Sequence, residues 1–316
     1  MRVRNIVLLL LAVGTILLAG CGAQTATKEH SGNFHIVTSF YPMYIDAINI
    51  TRGVDGVTVT NMTKPQTGCL HDYQLQNSDM QELTQADVFV INGAGMESFL
   101  NRVTTQLPNL PVITASEGIP LLEEDHDHGD DHDHEEDHEE GEEEGNPHVW
   151  VSIHGAQEEV ETITRGLMEL DPEHAREYRQ NADGYLEKLR ALETEMHEAL
   201  DPYVGTSIVT FHEAFPYFAQ EFGLNIRAVV NREPESQPSA REIAGTIDLI
   251  RESRVKAVFA EPQYNTDTAW LISQESGVPF YLLDPCTSGA MEKDAYLTAM
   301  RENMRILQAA FGGEEP

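Results

Sequence analysis

Short apolar runs alternate with helical patterns along most of this chain. Eight of these runs predict strands: His35–Phe40, Val57–Asn61, Asp87–Ile91, Pro111–Thr114, Ser207–Phe211, Ile226–Val230, Val255–Phe259 and Phe280–Leu283. Connections that contain helices favour parallel strands, because the chain must cross over before the next strand starts. The alternation therefore predicts an α/β fold, with parallel sheets covered by helices on both faces.

A long charged stretch separates the two groups of strands. From Ala156 to about Leu200, apolar residues recur at helical spacing. Asp171-Pro172 is typical of a helix start, because Asp caps a helix and Pro fits its first position. We therefore expect two lobes, each a parallel sheet flanked by helices, joined by one long rigid helix. The predicted boundaries are 34–155 for the N-terminal lobe, 156–202 for the linking helical segment and 203–316 for the C-terminal lobe.

The N-terminus has the pattern of an export signal. Arg2 and Arg4 precede an apolar run that is too short for a stable membrane span. The run ends in Leu18-Ala19-Gly20-Cys21, which resembles the lipobox of bacterial lipoproteins and implies cleavage before Cys21 and a lipid on its sulfur. An ordinary secretion signal is the alternative. We predict a signal peptide over 1–20, a lipidated tether over 21–33, and a mature protein at the extracytoplasmic face of the membrane or in the periplasm.

The acidic charge is concentrated in one insert. The chain has 53 Asp and Glu against 20 Lys and Arg, which argues against binding to nucleic acid or to an anionic membrane surface. The predicted insert, 123–145, is rich in acids, has no Lys or Arg, and contains five histidines: His126, His128, His132, His134 and His138. Its composition predicts a solvated segment. Three roles remain open for it: a passive loop, a weak metal-collecting loop or a sensor of metal availability.

Four residues that can bind a metal follow predicted strands or lie in the loops beyond them. They are His71, His148, His212 and Asp284. Ligands of parallel sheets gather beyond the carboxyl ends of the strands, so these residues, two from each lobe, can meet in the cleft between lobes. One such histidine is more often an ordinary polar residue, but four in equivalent places favour a site. Three imidazoles and one carboxylate form a shell that suits zinc.

The segments around these residues resemble a known family. Gly68–Tyr73, Pro147–Trp150, Phe211–Phe218 and Leu283–Pro285 are similar, in the same order, to those of the zinc-binding members of the cluster A-I (ZnuA-like) solute-binding lipoproteins of ABC importers. The resemblance implies that His71, His148 and His212 bind Zn²⁺, that Asp284 is the fourth ligand, and that an ABC permease receives the ion. His212 favours zinc, since manganese-binding relatives usually have Glu there. Asn146 departs from the family's Asp.

Other functions find less support in the sequence. His212-Glu213 begins like a zinc-protease motif, but Pro216 precludes the second histidine one turn later, and we expect no enzyme. Glu213 is a candidate for orienting an imidazole, and Tyr73 for lining the cleft, with a surface role for the first and a core role for the second equally open. A manganese or iron carrier of the same architecture and a zinc-stabilised adhesion protein are the alternatives. A monomer is expected.

Two cysteines lie close to the predicted ligands in sequence. Cys69 precedes His71 by two residues, and Cys286 follows Asp284 by two. Residues two apart in extended chain point the same way, so both sulfurs can approach the metal site from opposite lobes. A disulfide across the cleft, thiolate ligation and free thiols all remain open.

Overall fold

The computed structural model describes residues 33–64, 68–71, 73–123, 145–230, 238–263 and 265–313. Cys21 and the five histidines of the insert lie outside these residues. From Phe34 onward, the described residues form one compact unit. None of the described helices is both long and apolar enough to span a bilayer.

The first lobe is built on a four-stranded parallel sheet. Its strands are β1 (Phe34–Thr38), β2 (Val57–Asn61), β3 (Val88–Ile91) and β4 (Val112–Thr114), in the spatial order β2-β1-β3-β4. Strand β3 is buried at every position, as its continuous apolar sequence predicts for a strand covered on both faces. The helices of this lobe are α1 (Tyr41–Ile50), α2 (Asn77–Gln85) and α3 (Leu100–Gln106).

The second lobe repeats the same plan. Its strands are β5 (Ser207–Thr210), β6 (Asn225–Val229), β7 (Ala257–Ala260) and β8 (Phe280–Leu282), in the parallel order β6-β5-β7-β8. Its helices are α6 (Pro216–Glu221), α7 (Ala240–Ser253), α8 (Asp267–Ser276) and α9 (Ala295–Gly312). All eight predicted strands are present within two residues of their predicted ends. The two-lobed α/β prediction is confirmed.

Two helices, α4 (Ile153–Leu170) and α5 (Ala175–Leu200), connect the sheets. Helix α5 buries one face at helical spacing, through Tyr178, Ala182, Tyr185, Leu186, Leu189, Leu192, Met196 and Leu200. The long joining helix is therefore confirmed, but its predicted start is wrong. The Asp171 carboxylate accepts hydrogen bonds from the Tyr178 hydroxyl (2.6 Å) and His174 Nδ1 (2.7 Å), so it bridges the turn before α5 instead of capping a helix at Pro172.

Direct hydrogen bonds connect the lobes beside the cleft. The buried Trp150 donates its indole N–H to the Pro285 carbonyl (2.8 Å), and the Tyr296 hydroxyl donates to the Trp150 carbonyl (2.9 Å). Farther along, the Tyr41 hydroxyl donates to the Ala290 carbonyl (2.9 Å). These bonds fix the loop that carries His148 against the second lobe.

Candidate metal centre

Three imidazole nitrogens converge between the lobes. His148 Nε2 lies 3.3 Å from His71 Nε2 and 3.1 Å from His212 Nε2. Tetrahedral zinc with Zn–N bonds of about 2.0–2.1 Å holds its nitrogens about 3.3 Å apart. The described residues thus bring the three predicted histidines to the spacing that one cation requires.

Asn146 orients the His148 ring. The Asn146 side-chain N–H donates to the Glu213 carbonyl (2.9 Å), so its oxygen is the atom that faces His148. That oxygen lies 3.1 Å from His148 Nδ1 and also accepts from the His148 backbone N–H (3.0 Å). An amide oxygen only accepts, so Nδ1 carries the proton and the Nε2 lone pair points to the other two rings. Asn146, which stands where the family often has Asp, therefore orients the His148 ring.

Short backbone contacts place the three histidine segments. The Asn92 side chain donates to the Pro147 carbonyl (2.9 Å), which ties the His148 loop to the end of β3. The Ser98 hydroxyl donates to the His71 carbonyl (3.2 Å). His212 follows β5 by two residues, where the Phe211 N–H bonds the Phe259 carbonyl (3.0 Å). Each ligand segment is thus anchored to a strand end or its loop.

Burial keeps the central imidazole neutral. His148 is 1% exposed and His212 is 3% exposed, whereas His71 is only partly buried. Desolvation lowers the pKa of His148 well below its ordinary value, and the neighbouring His212 and His71 lower it further. A neutral ring leaves its lone pair available to a metal.

Cys69 lies in the same group of donors. Its Sγ is 3.5 Å from His148 Nε2, and together with the three histidines it forms a set of donor atoms within 4.8 Å of one another. Burial, followed by the charge of Glu261, raises the pKa of the Cys69 thiol well above its ordinary value. A cation is therefore needed to stabilise the thiolate that ligation by sulfur requires.

Of the states left open for the two cysteines, the structure shows no disulfide between them. Cys69 and Cys286 are both free thiols, and Cys286 Sγ lies 3.7 Å from the Asp284 carbonyl oxygen. The backbone of Cys286 adopts a left-handed conformation, with φ of 59°, and its N–H donates to Asp284 Oδ1. The turn thus holds the Cys286 sulfur close to its own backbone.

Asp284 occupies the expected end of β8 but does not belong to the 4.8 Å group of Cys69 and the three histidines. Its Oδ1 accepts from the Cys286 N–H (2.8 Å) and the Gln263 side chain (3.3 Å). Burial raises the pKa of this carboxyl, although both hydrogen bonds oppose the shift. In this structure Asp284 is therefore not an immediate neighbour of the imidazoles.

Glu261 is a residue of the cleft that sequence reasoning missed. It directly follows β7, which lies between β5 and β8 in the sheet; His212 follows β5 and Asp284 follows β8. Glu261 is 1% exposed. Neither carboxyl oxygen accepts a hydrogen bond from the described residues. Burial, followed by the charge of Asp284, raises the pKa of Glu261 to about 8. Its position after a strand was a usable signal, and a buried carboxyl without donors fits a nearby cation.

The remaining predicted residues have other contacts. The Tyr73 hydroxyl donates to Asp79 (2.8 Å), and its ring packs against Phe99, so Tyr73 supports the start of α2. Glu213 contacts Asn146 through its backbone carbonyl. The orienting role predicted for the Glu213 carboxylate stays a prediction.

Comparison with known proteins finds metal-binding relatives by sequence and by structure. The zinc-binding lipoprotein AdcA of Streptococcus pneumoniae serotype 4 is 30% identical over 99% of this chain, which spans 62% of the length of AdcA. The manganese-binding lipoprotein MntA of Halalkalibacterium halodurans is 29% identical over 83% of each chain. The structure of FpvC from Pseudomonas aeruginosa with Ni²⁺ has a TM-score of 0.76 and 28% identity, covering 90% of this chain and 98% of FpvC.

These relatives share an architecture but bind different divalent ions, so the fold does not fix the metal. The resemblance found in the four ligand segments is confirmed by a match over most of the chain. Residues 36–310 match the family model described as ZnuA, the periplasmic component A of a zinc-uptake complex, and the chain belongs to that family.

Proposed function

We propose that this protein captures Zn²⁺ outside the cytoplasmic membrane and delivers it to an ABC permease. The observation that carries the proposal is the convergence of three Nε2 atoms, two from the first lobe and one from the second. Those of His71 and His212 lie 3.3 Å and 3.1 Å from that of His148. A cation held there connects both lobes, so the permease can read occupancy from their arrangement. Lipidation at Cys21 holds the protein at the membrane surface.

The donor set favours zinc within this family. Imidazole nitrogens are softer donors than the oxygens that manganese prefers. Zinc also accepts the tetrahedral spacing of the three nitrogens. Neutral imidazoles leave the charge of the ion uncompensated, and two carboxyls of the second lobe, the buried Glu261 and the half-buried Asp284, supply compensating charge.

The fourth ligand separates two assignments within this function. We retain Asp284 as the predicted ligand, while Cys69 is the nearer donor. Cobalt substitution distinguishes them, because a thiolate ligand gives an intense near-ultraviolet charge-transfer band. That band should be absent in the parent protein and in Cys69→Ser if Asp284 is the ligand. A band that Cys69→Ser removes would assign the fourth position to sulfur.

A competition titration tests the proposed function. Zn²⁺ affinity should fall by orders of magnitude in His212→Ala, whereas His174→Ala should bind as the parent does, since His174 pairs with Asp171 away from the cleft. Equal affinity of the parent and His212→Ala would exclude the site.

The same protein distinguishes the two alternatives. Titration with Zn²⁺ against Mn²⁺ or Fe²⁺ identifies a carrier of another metal. Exchange with a chelator identifies a structural zinc of an adhesion protein, because such an ion leaves only on unfolding. Rapid exchange in the folded protein, with Zn²⁺ preferred, is the result we expect.

A further inference from the structure

A second group of metal-binding side chains lies on the helices outside the cleft. Glu193 and His197 stand one turn apart on α5, and Glu221 ends α6. One donor atom from each lies within 4.8 Å of the others. Among the described residues, however, the ion pairs of His197 include Asp201 and neither of these glutamates. The donor atoms of the three residues therefore lie close enough together to share one cation.

Two of these donors, Glu193 and Glu221, line a groove large enough for a hydrated ion. The groove has a volume of about 410 Å³ and is lined by Glu193, Glu221 and Tyr217, among others. The Tyr217 hydroxyl accepts a hydrogen bond from the Leu122 N–H (2.9 Å), so the chain passes the groove immediately before the acidic insert begins. The three donors are half-buried, which leaves room for water as additional ligands.

Each donor is held by a separate partner. His197 Nδ1 lies 3.2 Å from Asp201 Oδ1, which leaves Nε2 as the free lone pair when Nδ1 carries the proton. Glu193 Oε2 accepts from the Gln157 side chain (2.9 Å). Glu221 accepts from the backbone N–H groups of Ile153 (2.8 Å) and His154 (3.3 Å). The donors are thus positioned, although no direct bond joins them to one another.

The two glutamates also repel each other. Burial raises the pKa of Glu221, and the charge of Glu193 raises it further, while the backbone N–H groups of Ile153 and His154 and the charge of His197 lower it. A divalent cation between the carboxylates relieves this repulsion and supplies the charge that the groove lacks.

We propose that Glu193, His197 and Glu221 form a second site for a divalent transition-metal cation, weaker than the cleft site. One nitrogen and two carboxylate oxygens, completed by water, suit zinc and its first-row neighbours. Small side-chain rotations bring the donors to zinc distances of about 2.0–2.2 Å. The site uses none of the cleft ligands and is independent of the proposed function.

Equilibrium dialysis of the full chain against Zn²⁺ tests this site. With the cleft loaded first, His197→Ala and Glu193→Gln should each retain about one equivalent less zinc than the parent at micromolar free zinc. His174→Ala changes a histidine that lies just before α5 and pairs with Asp171, and this variant should match the parent. His148→Ala should lose the tight cleft equivalent and keep the groove equivalent, which separates failure of one site from failure of the other.

A site-specific signal guards against effects on folding. In the parent with zinc in the cleft only, added Co²⁺ should shift the NMR resonances of the His197 ring. These resonances are identified by their absence from the spectrum of His197→Ala. The His174 resonances should shift less. Unchanged His197 resonances, or equal zinc stoichiometry in the parent and both groove variants, would overturn the second site.

Discussion

The cleft and the helical core each contain a buried acid whose oxygens accept no hydrogen bond from the described residues. In the cleft this acid is Glu261, which is 1% exposed; in the core it is Glu159 of α4, which is 0% exposed. Burial raises the pKa of both, and the next contribution comes from Asp284 for Glu261 and from Asp46 for Glu159. By contrast, Glu97, which is also buried, accepts hydrogen bonds from Ser39, Asn92 and Gly93.

The surroundings of the two acids decide what neutralises them. Glu261 lies beside a group of imidazoles and a thiol that can hold a cation. Glu159 lies among helices, where a proton is the available counter-charge. The comparison indicates that an unsatisfied buried acid is a functional signal only where other metal donors converge.

Loss of a cleft imidazole should weaken zinc binding more than any other change considered below. His148→Ala should weaken Zn²⁺ binding by orders of magnitude, because His148 Nε2 is the atom that both other rings approach. A chelator-competition titration measures the change. Glu159→Gln should bind zinc as the parent does. Equal loss of affinity in both variants would break the distinction between cleft and core.

Removal of the Glu261 carboxylate should have a smaller effect on zinc affinity. Glu261→Gln should lower Zn²⁺ affinity by about 10–100-fold, the usual range for groups that support metal ligands. The physical reason is the loss of charge compensation for an ion held by neutral imidazoles. Isothermal titration with Zn²⁺ measures the change, and undiminished affinity would show that Asp284 alone compensates the ion.

The core acid should affect stability in a pH-dependent way. Its folded-state pKa is raised, so the protonated carboxyl favours folding below the unfolded value of about 4.3, and this contribution is lost as pH rises through the folded pKa. In Glu159→Gln the side chain does not titrate, so the variant does not lose this stability as pH rises. Its unfolding free energy should match the parent's near pH 4 and exceed it by about 1–3 kcal/mol at higher pH.

Urea unfolding across this pH range measures the difference. Glu187→Gln is the matched control, because Glu187 is exposed on α5. A stability gain that does not change with pH would show that packing, and not charge, explains the effect of Glu159→Gln.

The smallest effect is expected from the acidic insert. Deletion of residues 123–144 should leave one tightly bound zinc per chain, because all proposed cleft ligands lie elsewhere. Metal analysis after gel filtration counts the ion. Loss of the tight zinc would show that the cleft depends on the insert and would end the division between a tight site and a weak collecting loop.

Much of the cleft was predictable from strand ends. His212, Glu261 and Asp284 each follow a strand of one parallel sheet, and strand ends of such sheets meet at one edge. Glu261 was missed because a single acid after a strand has no motif of its own. The Asp171 helix start was wrong because the sequence does not reveal that Tyr178 and His174 bind its carboxylate.

The groove donors were beyond sequence reasoning. Glu193 and His197 have the four-residue spacing of any charged helical face, and Glu221 belongs to a different helix. Only the packing of α4 against α5 and α6 brings these three side chains together, because their proximity depends on helix crossing and not on local spacing.

Hydrophobic periodicity and strand-end position are local properties, so the two-lobed α/β plan, the long joining helix and the three histidines followed from the sequence alone. The packing of the lobes set which donors approach one another. It placed Cys69 with the imidazoles and Asp284 outside their immediate group, left both thiols free and buried Glu261 beside the cleft. Distances between side chains from separate elements depend on how the lobes pack, and no stretch of sequence contains that information.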